Sequence, residues 1–229
     1  MKVSAEEVTT LPVLEAEDRS VLRNHFANLA DRVRVLVFVD SDESTCPYCS
    51  QTRELVEEVA ELSDKIALEV IDRSADPERA LSYGVDKAPA IVLLTGGDEP
   101  YDTGIRFFGI PSGYEFTTLI DDLIAVSQSE TRLGKSTLEW LSTVTQPIHL
   151  QVFVTPSCPY CPRAVSLAHR LALASPWVRA DMVEASEFPD LADRYQVYGV
   201  PRTVINDAIA VEGAVPESQL LNHLKQAVA

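Results

Sequence analysis

All four cysteines of this 229-residue chain fall in two identical tetrapeptides, Cys46-Pro47-Tyr48-Cys49 and Cys158-Pro159-Tyr160-Cys161. Thiols three residues apart lie about one helical turn from each other, so their sulfurs can meet. A thiolate attacks a disulfide sulfur to give a mixed disulfide, and a second thiol close by resolves it. The spacing therefore fits a chemistry of making, breaking or reshuffling disulfides. Cys46 and Cys158 are the expected nucleophiles, and Cys49 and Cys161 the expected resolving thiols. A free thiol titrates near about 8.5 and is mostly protonated at neutral pH. A helix N-terminus corrects this, because its unpaired N–H groups and its dipole favour the anion. Pro47 and Pro159 suit the first helical position, where a missing N–H costs nothing. Two other uses of the cysteines compete with this one. Inert structural disulfides would also pair them, and a zinc ion could take both pairs. A whole domain's length separates the pairs and no knuckle pattern surrounds them, so no metal is expected. His25, His149, His169 and His223 fall in no ligand spacing and read as surface or packing residues. Trp140 and Trp177 read as packing residues. Tyr48 and Tyr160 either line a substrate groove or shield the sulfurs from water.

The elements that must hold these turns can be read from periodicity. Residues 14–31 make an amphipathic helix, and Val33–Val39 a strand. A loop through Asp40, Asp42 and Glu43 leads into the first cysteine pair, and a helix follows to about Leu62. Ile66–Ile71 is a strand and Pro77–Tyr83 a short helix. Ala90–Leu94 and Gly104–Gly109 form a hairpin around Gly96-Gly97, and Tyr114–Val126 closes the unit as a helix. Glu130–Gln146 carries a helical pattern that should pack as a connector and stop before Pro147. The series then recurs: strand Ile148–Val154, helix Pro159–Ala174, strand Val178–Glu184 and helix Phe188–Tyr195. Strands Thr203–Asn206 and Ile209–Glu212 follow, then helix Pro216–Val228.

The recurrence is also a matter of spacing. Cys46 and Cys158 stand 112 positions apart, and forty-three positions after each comes a proline, Pro89 and Pro201. Each proline opens a β-prone run. A C-x-x-C at a strand-to-helix turn is a thioredoxin-like redox signature. The chain resembles the protein disulfide oxidoreductases built from two tandem thioredoxin-like, glutaredoxin-flavoured units, and the resemblance covers nearly its whole length. It implies an α/β fold of two tandem thioredoxin-like units, each a mixed central sheet flanked by helices. The expected units are residues 1–128 and 129–229. It further implies a cis proline facing each pair, at Pro89 and Pro201, and no tightly bound cofactor. The implied partners are disulfide-containing protein substrates and a thioredoxin-reductase-like flavoprotein as electron donor. Thioredoxin has an acid six positions before its lead cysteine, and Asp40 has that spacing. However, site one's loop is three residues longer than site two's, so Val37 and Val152 are the corresponding strand positions and Asp40 reads as a loop residue. Glutathione-dependent relatives carry Thr-Val-Pro where this chain has Lys87-Ala88-Pro89 and Gly199-Val200-Pro201, so glutathione binding is not implied.

The net charge of −16 is concentrated in the first half: residues 1–130 hold 26 acidic against 11 basic side chains, and residues 131–229 hold 9 against 8. An acidic surface argues against a nucleic-acid partner. The start, Met1 to Glu7, lacks a signal-peptide core, and no run reaches the roughly 18 apolar residues of a membrane span. The expected location is the cytosol, where paired thiols are usually catalytic. The two sites differ in their approaches. Asp40, Asp42 and Glu43 lead into the first, and like charges disfavour a thiolate. Arg163 and Arg202 attend the second, while Arg53 and Lys87 offset part of the difference. Cys158 is thus expected to be the more acidic thiol and its pair the more oxidising, with Pro162 deleting the first bond of its helix. Two other functions remain in view. One is an electron relay feeding a peroxiredoxin, like the front region of flavoprotein peroxiredoxin reductases, where the first unit has lost its cysteines. The other is a chaperone-like binder of unfolded chains whose thiols are incidental.

Overall fold

The computed structural model describes residues 13–42 and 44–228; the expectations for the first residues and for Glu43 lie outside these. The elements are α1 (Ala16–Phe26), β1 (Val33–Val39), α2 (Cys49–Ala60), β2 (Ile66–Asp72), α3 (Pro77–Ser82), β3 (Ala90–Thr95), β4 (Asp102–Phe108) and α4 (Tyr114–Gln128). They continue as α5 (Lys135–Leu141), β5 (Ile148–Val154), α6 (Cys161–Ala174), β6 (Val178–Glu184), α7 (Pro189–Arg194), β7 (Arg202–Ile205), β8 (Ile209–Glu212) and α8 (Glu217–Ala227). β1 and β5 are almost unbroken apolar runs because each is covered on both faces.

The two halves share one sheet. Its strand order is β2-β1-β3-β4-β6-β5-β7-β8. Each half supplies four strands in the same pattern, and a parallel pairing of β4 with β6 joins them, Ile105 opposite Ala180 and Phe107 opposite Met182. Helices α1, α2, α4, α6 and α8 bury their apolar stripes on one face, in a core that runs without a break from Val35 to Leu224. Helices α3 and α7 cover the other face over Phe38, Phe108, Phe153 and Val183. α4 of the first half lies directly against α6 of the second. Within that seam His169 is fully buried, its Nδ1 2.6 Å from Asp122 Oδ2 and its ring edge-on to Phe107. His169 is thus a packing residue, while Trp177 is 43% exposed and does not pack as expected.

The connector differs from its periodic pattern. Only Lys135–Leu141 is helical. Ser129 and Arg132 take left-handed φ values of 52°, so the chain leaves α4 and turns before α5 begins. Leu138, on this short helix, is 41% exposed. The β-branched Thr143 and Thr145 and then Pro147 do not support a longer helix. α5 is tied to α8 at its start: the Gly134 amide donates to Glu217 Oε1 at 2.9 Å.

A glycine makes one close approach between the halves. Gly113 has φ 59°, and a Cβ there would sit 2.2 Å from the Pro156 carbonyl oxygen, which accepts from the Tyr114 amide at 3.1 Å. Gly113→Ala would meet both a strained backbone and a backbone atom that cannot step aside. The expected loss is about 2–3 kcal/mol, read as a lower urea midpoint. Because Pro156 stands two residues before Cys158, the alkylation rate of Cys158 should change while that of Cys46 does not.

Candidate redox sites

β1, β2, β4, β5 and β6 all run the same way through the sheet, so the turns after β1 and β5 open on one edge. Each turn carries one cysteine pair, with the sulfurs of Cys46 and Cys49 joined, and likewise those of Cys158 and Cys161. β1 and β5 are four strand positions apart, which is roughly 20 Å at the usual strand spacing of about 4.8 Å. A thiolate of one pair therefore cannot attack the other pair directly.

The helices begin later than the proline positions suggested. Tyr48 and Tyr160 are the N-caps, and Cys49 and Cys161 the first helical residues. Pro47 and Pro159 lie in the turn before the helix. Pro162 occupies the second helical position, where the amide has no intrahelical acceptor, so it deletes no bond. Each lead cysteine still sits against a helix N-terminus, and both are almost wholly buried: Cys46 is 1% exposed and Cys158 7%. Ala88–Pro89 and Val200–Pro201 are cis, and each faces its cysteine pair. Ala88 packs on Cys46 and Cys49, and the Val200 carbonyl oxygen is 3.8 Å from Cys158 Sγ. Both tyrosines stand in solvent, Tyr160 more than Tyr48.

Backbone donors separate the two sites. At site two the Cys161 amide points at Cys158 Sγ, 3.1 Å away. At site one the corresponding Cys49 amide is spent on the Cys46 carbonyl at 3.2 Å, and a different amide, that of Asp40, reaches Cys49 Sγ at 3.2 Å. The charges that differed between the two approaches are largely paired off. Asp40 holds Arg73 through two contacts, 3.0 and 2.6 Å, and its carboxylate is nearly buried. Asp42 accepts from the Ser44 hydroxyl and amide within its own turn, which lowers its pKa. Lys87 pairs with Asp86, Arg53 with Glu57, and Arg202 with Glu212. Asp40 is therefore more than a loop residue: its amide touches the resolving sulfur of site one, and Arg73 ties its carboxylate to the Asp86 carbonyl just before the cis proline. The six-residue spacing was the available signal.

Site one opens into a groove of about 470 Å³. Pro47, Tyr48, Ala88 and Pro89 form its inner wall, and Ser186–Pro189 of the second half its outer wall. Nothing in the local sequence joins these segments; they meet because β6 lies beside β4.

Two dithiol turns, each at a strand-to-helix junction opposite a cis proline on a fused mixed sheet, define a thiol–disulfide oxidoreductase. The chain belongs to the thioredoxin-domain family, which matches it twice, at residues 33–120 and 148–226. A protein disulfide oxidoreductase from Aeropyrum pernix K1 shares the architecture with a TM-score of 0.85 and 31% identity, 94% of each chain being covered. The alkylhydroperoxide reductase AhpF of Enterococcus faecalis superposes with a TM-score of 0.83 at 30% identity, over 92% of this chain and 99% of that one. In sequence, the corresponding alkyl hydroperoxide reductase component of Pseudomonas aeruginosa is 22% identical over 91% of this chain. The chain spans 37% of the length of that relative. Among the described residues no helix is long and apolar enough to cross a membrane.

Proposed function

We propose that the chain exchanges disulfides with protein substrates through two sites, reducing them and, where potentials allow, forming or isomerising them. The observation that carries this reading is the repeated constellation of bonded cysteine pair, helix N-terminus and cis proline. Cys46 and Cys158 act as nucleophiles, and Cys49 and Cys161 resolve the mixed disulfides. Tyr48, Tyr160, Pro89 and Pro201 border the bound substrate. Residues 1–128 form one functional unit and 129–229 the other. Electrons come from a thioredoxin-reductase-like flavoprotein, and the cytosol is the compartment in which such reactive pairs work.

A relay toward a peroxiredoxin is the second reading, favoured by the likeness to the alkyl hydroperoxide reductases. The roughly 20 Å between sites bears on both readings, because electrons then cross from one pair to the other only on a third molecule. Cys158 is the more acidic thiol, and the support for this is the Cys161 amide aimed at its sulfur rather than the count of charges nearby.

The test is a redox titration of each pair alone, in Cys46→Ser/Cys49→Ser and Cys158→Ser/Cys161→Ser variants against a glutathione or dithiothreitol buffer. Two well-separated potentials, with the second pair the more oxidising, are the expected outcome. A pair that never reduces in either buffer would be a structural disulfide, and the reading of that half would fail.

A further inference from the structure

The outer wall of site one carries a carboxyl that disulfide exchange does not itself require. Glu187 lies in the turn after β6 and lines the same groove as Pro47 and Tyr48, the two residues between the cysteines. Its Oε1 accepts from the Ile110 amide at 2.7 Å. The preceding amide, that of Gly109, donates to the Pro89 carbonyl at 2.9 Å. Gly109 leaves room for this contact: at its φ of +90° a Cβ would stand 2.8 Å from Glu187 Oε1. One continuous path therefore runs from a side chain of the second half, through the Gly109–Ile110 turn, to the cis proline, whose partner Ala88 packs on Cys46.

The surroundings leave this carboxyl without a counter-charge. The charged groups that share its groove pair among themselves, Arg73 with Asp40 and Lys87 with Asp86. The nearest acid is Glu184 at the end of β6, whose Oε2 accepts from the Glu187 amide at 2.7 Å. Glu187 Oε2 and Glu184 Oε1 are buried without a hydrogen-bond partner, and no ion pair joins either residue to a cation among the described residues.

We propose that Glu187 is a positioning residue for site one: the second half supplies a carboxyl, locked to the turn that holds Pro89, whose negative charge opposes the Cys46 thiolate. The inference rests on the reading of site one as a disulfide-exchange centre. In that exchange a dithiol substrate gives up two electrons and two protons as its own S–S bond forms. The Cys46–Cys49 bond breaks, and the two sulfurs take up both. Overall the exchange is proton-neutral while all thiols are protonated, so a pH dependence reports ionisation on the protein. Burial pushes Glu187 up to about 7, with Glu184 adding to the rise and the Ile110 amide holding it back. The carboxyl is thus neutral at pH 5.5 and charged at pH 8. Site one would exchange more freely in the more acidic medium than its own thiol pKa dictates, and site two, whose cysteines Glu187 does not face, would not share this brake.

The test uses the full chain with site two silenced, Cys158→Ser/Cys161→Ser, with and without Glu187→Gln. The quantities read are the Cys46 alkylation rate of the reduced protein and its exchange equilibrium with dithiothreitol, from pH 5.5 to 8.5. With Glu187 present, Cys46 thiolate formation should proceed in two steps, the first bending near pH 7. Glu187→Gln should match its parent at pH 5.5 and hold about threefold to tenfold more thiolate at pH 8, as expected for removal of one charge across a protein groove. Glu184→Gln should move the bend to lower pH. A single-step profile in the parent overturns the proposal even if Glu187→Gln fails to fold. A Glu187→Gln effect of equal size at every pH also overturns it, since that would be structural alone. Loss of all exchange in the parent would instead refute the functional reading of site one.

Discussion

Replacing both lead cysteines, Cys46→Ser with Cys158→Ser, is expected to abolish disulfide exchange, whereas Cys49→Ser with Cys161→Ser should keep the first step and lose the second. The difference follows from the proposal that the lead sulfur of each pair is the one that meets the substrate. Each lead sulfur stands at a helix N-terminus opposite the cis proline, and each resolving cysteine is the first residue inside the helix. A lead thiolate attacks a substrate disulfide, one substrate sulfur leaves as a thiolate, and a mixed disulfide remains. Without the resolving thiol the adduct persists. Mass spectrometry of the Cys49→Ser/Cys161→Ser chain after exposure to an oxidised client should show covalent adducts at Cys46 and at Cys158. Each single lead variant should retain the turnover of the other site, because the strand positions keep the pairs too far apart for direct exchange. If Cys46→Ser alone silenced both sites, electrons would be passing between them in sequence and the independent-site account would be wrong. If the double lead variant still turned over clients, the thiols would be incidental and a binding protein would be the better reading.

Most of the fold was legible because its signals are local. β1, β5 and β6 have the bounds read from the sequence. β1 and β5 are mostly apolar because both of their faces are covered, whereas β6 carries Arg179, Asp181 and Glu184 among its apolar residues. The cis prolines were implied by the resemblance to the disulfide oxidoreductases, and both are cis. The fusion of two sheets was not legible. The strand expected at Gly104–Gly109 begins at Asp102, and its Arg106 is 2% exposed because β6 lies beside it. Its guanidinium pairs with Asp102 and bonds the Tyr83 carbonyl. Only tertiary pairing makes that cation buried, and no periodicity reports it. The same seam hides the carboxyls that matter. Glu115 reads as a first-turn surface acid of α4 and is 1% exposed because α6 covers it. Glu187 reads as a loop acid and proves to be a wall of the site formed by the other half of the chain. The charge count around the two cysteine pairs is incomplete for a related reason: sequence shows the charges and not their partners, and Arg73 lies too far along the chain to be assigned to Asp40.

These buried carboxyls predict a stability maximum on the acid side of neutrality. Burial raises Glu115 to about 7, against the Thr118 hydroxyl and the His169 ring, with Asp122 adding to the rise. A carboxyl whose folded pKa lies above its unfolded value stabilises the fold fully below the unfolded value near 4.5, and that contribution is lost as pH climbs through 7. The shift corresponds to about 3 kcal/mol between pH 4.5 and pH 8. Asp122 is raised as well, burial outweighing His169, and adds to the same slope. Asp181 works in the opposite sense. Burial alone would raise it, but the His149 ring and Arg179 outweigh that and bring it down to about 2. Its contribution, about 2 kcal/mol, is present above pH 4 and disappears as pH falls toward 2. Urea unfolding should therefore give its highest midpoint between pH 4 and 5, lower at pH 8 and lower again at pH 2.5. Glu115→Gln copies the neutral acid in shape, so it should match the parent at pH 5 and exceed it at pH 8 by most of that 3 kcal/mol. Parallel curves for parent and variant across this range would mean that Glu115 ionises freely in the fold and that the α4–α6 seam is open to water.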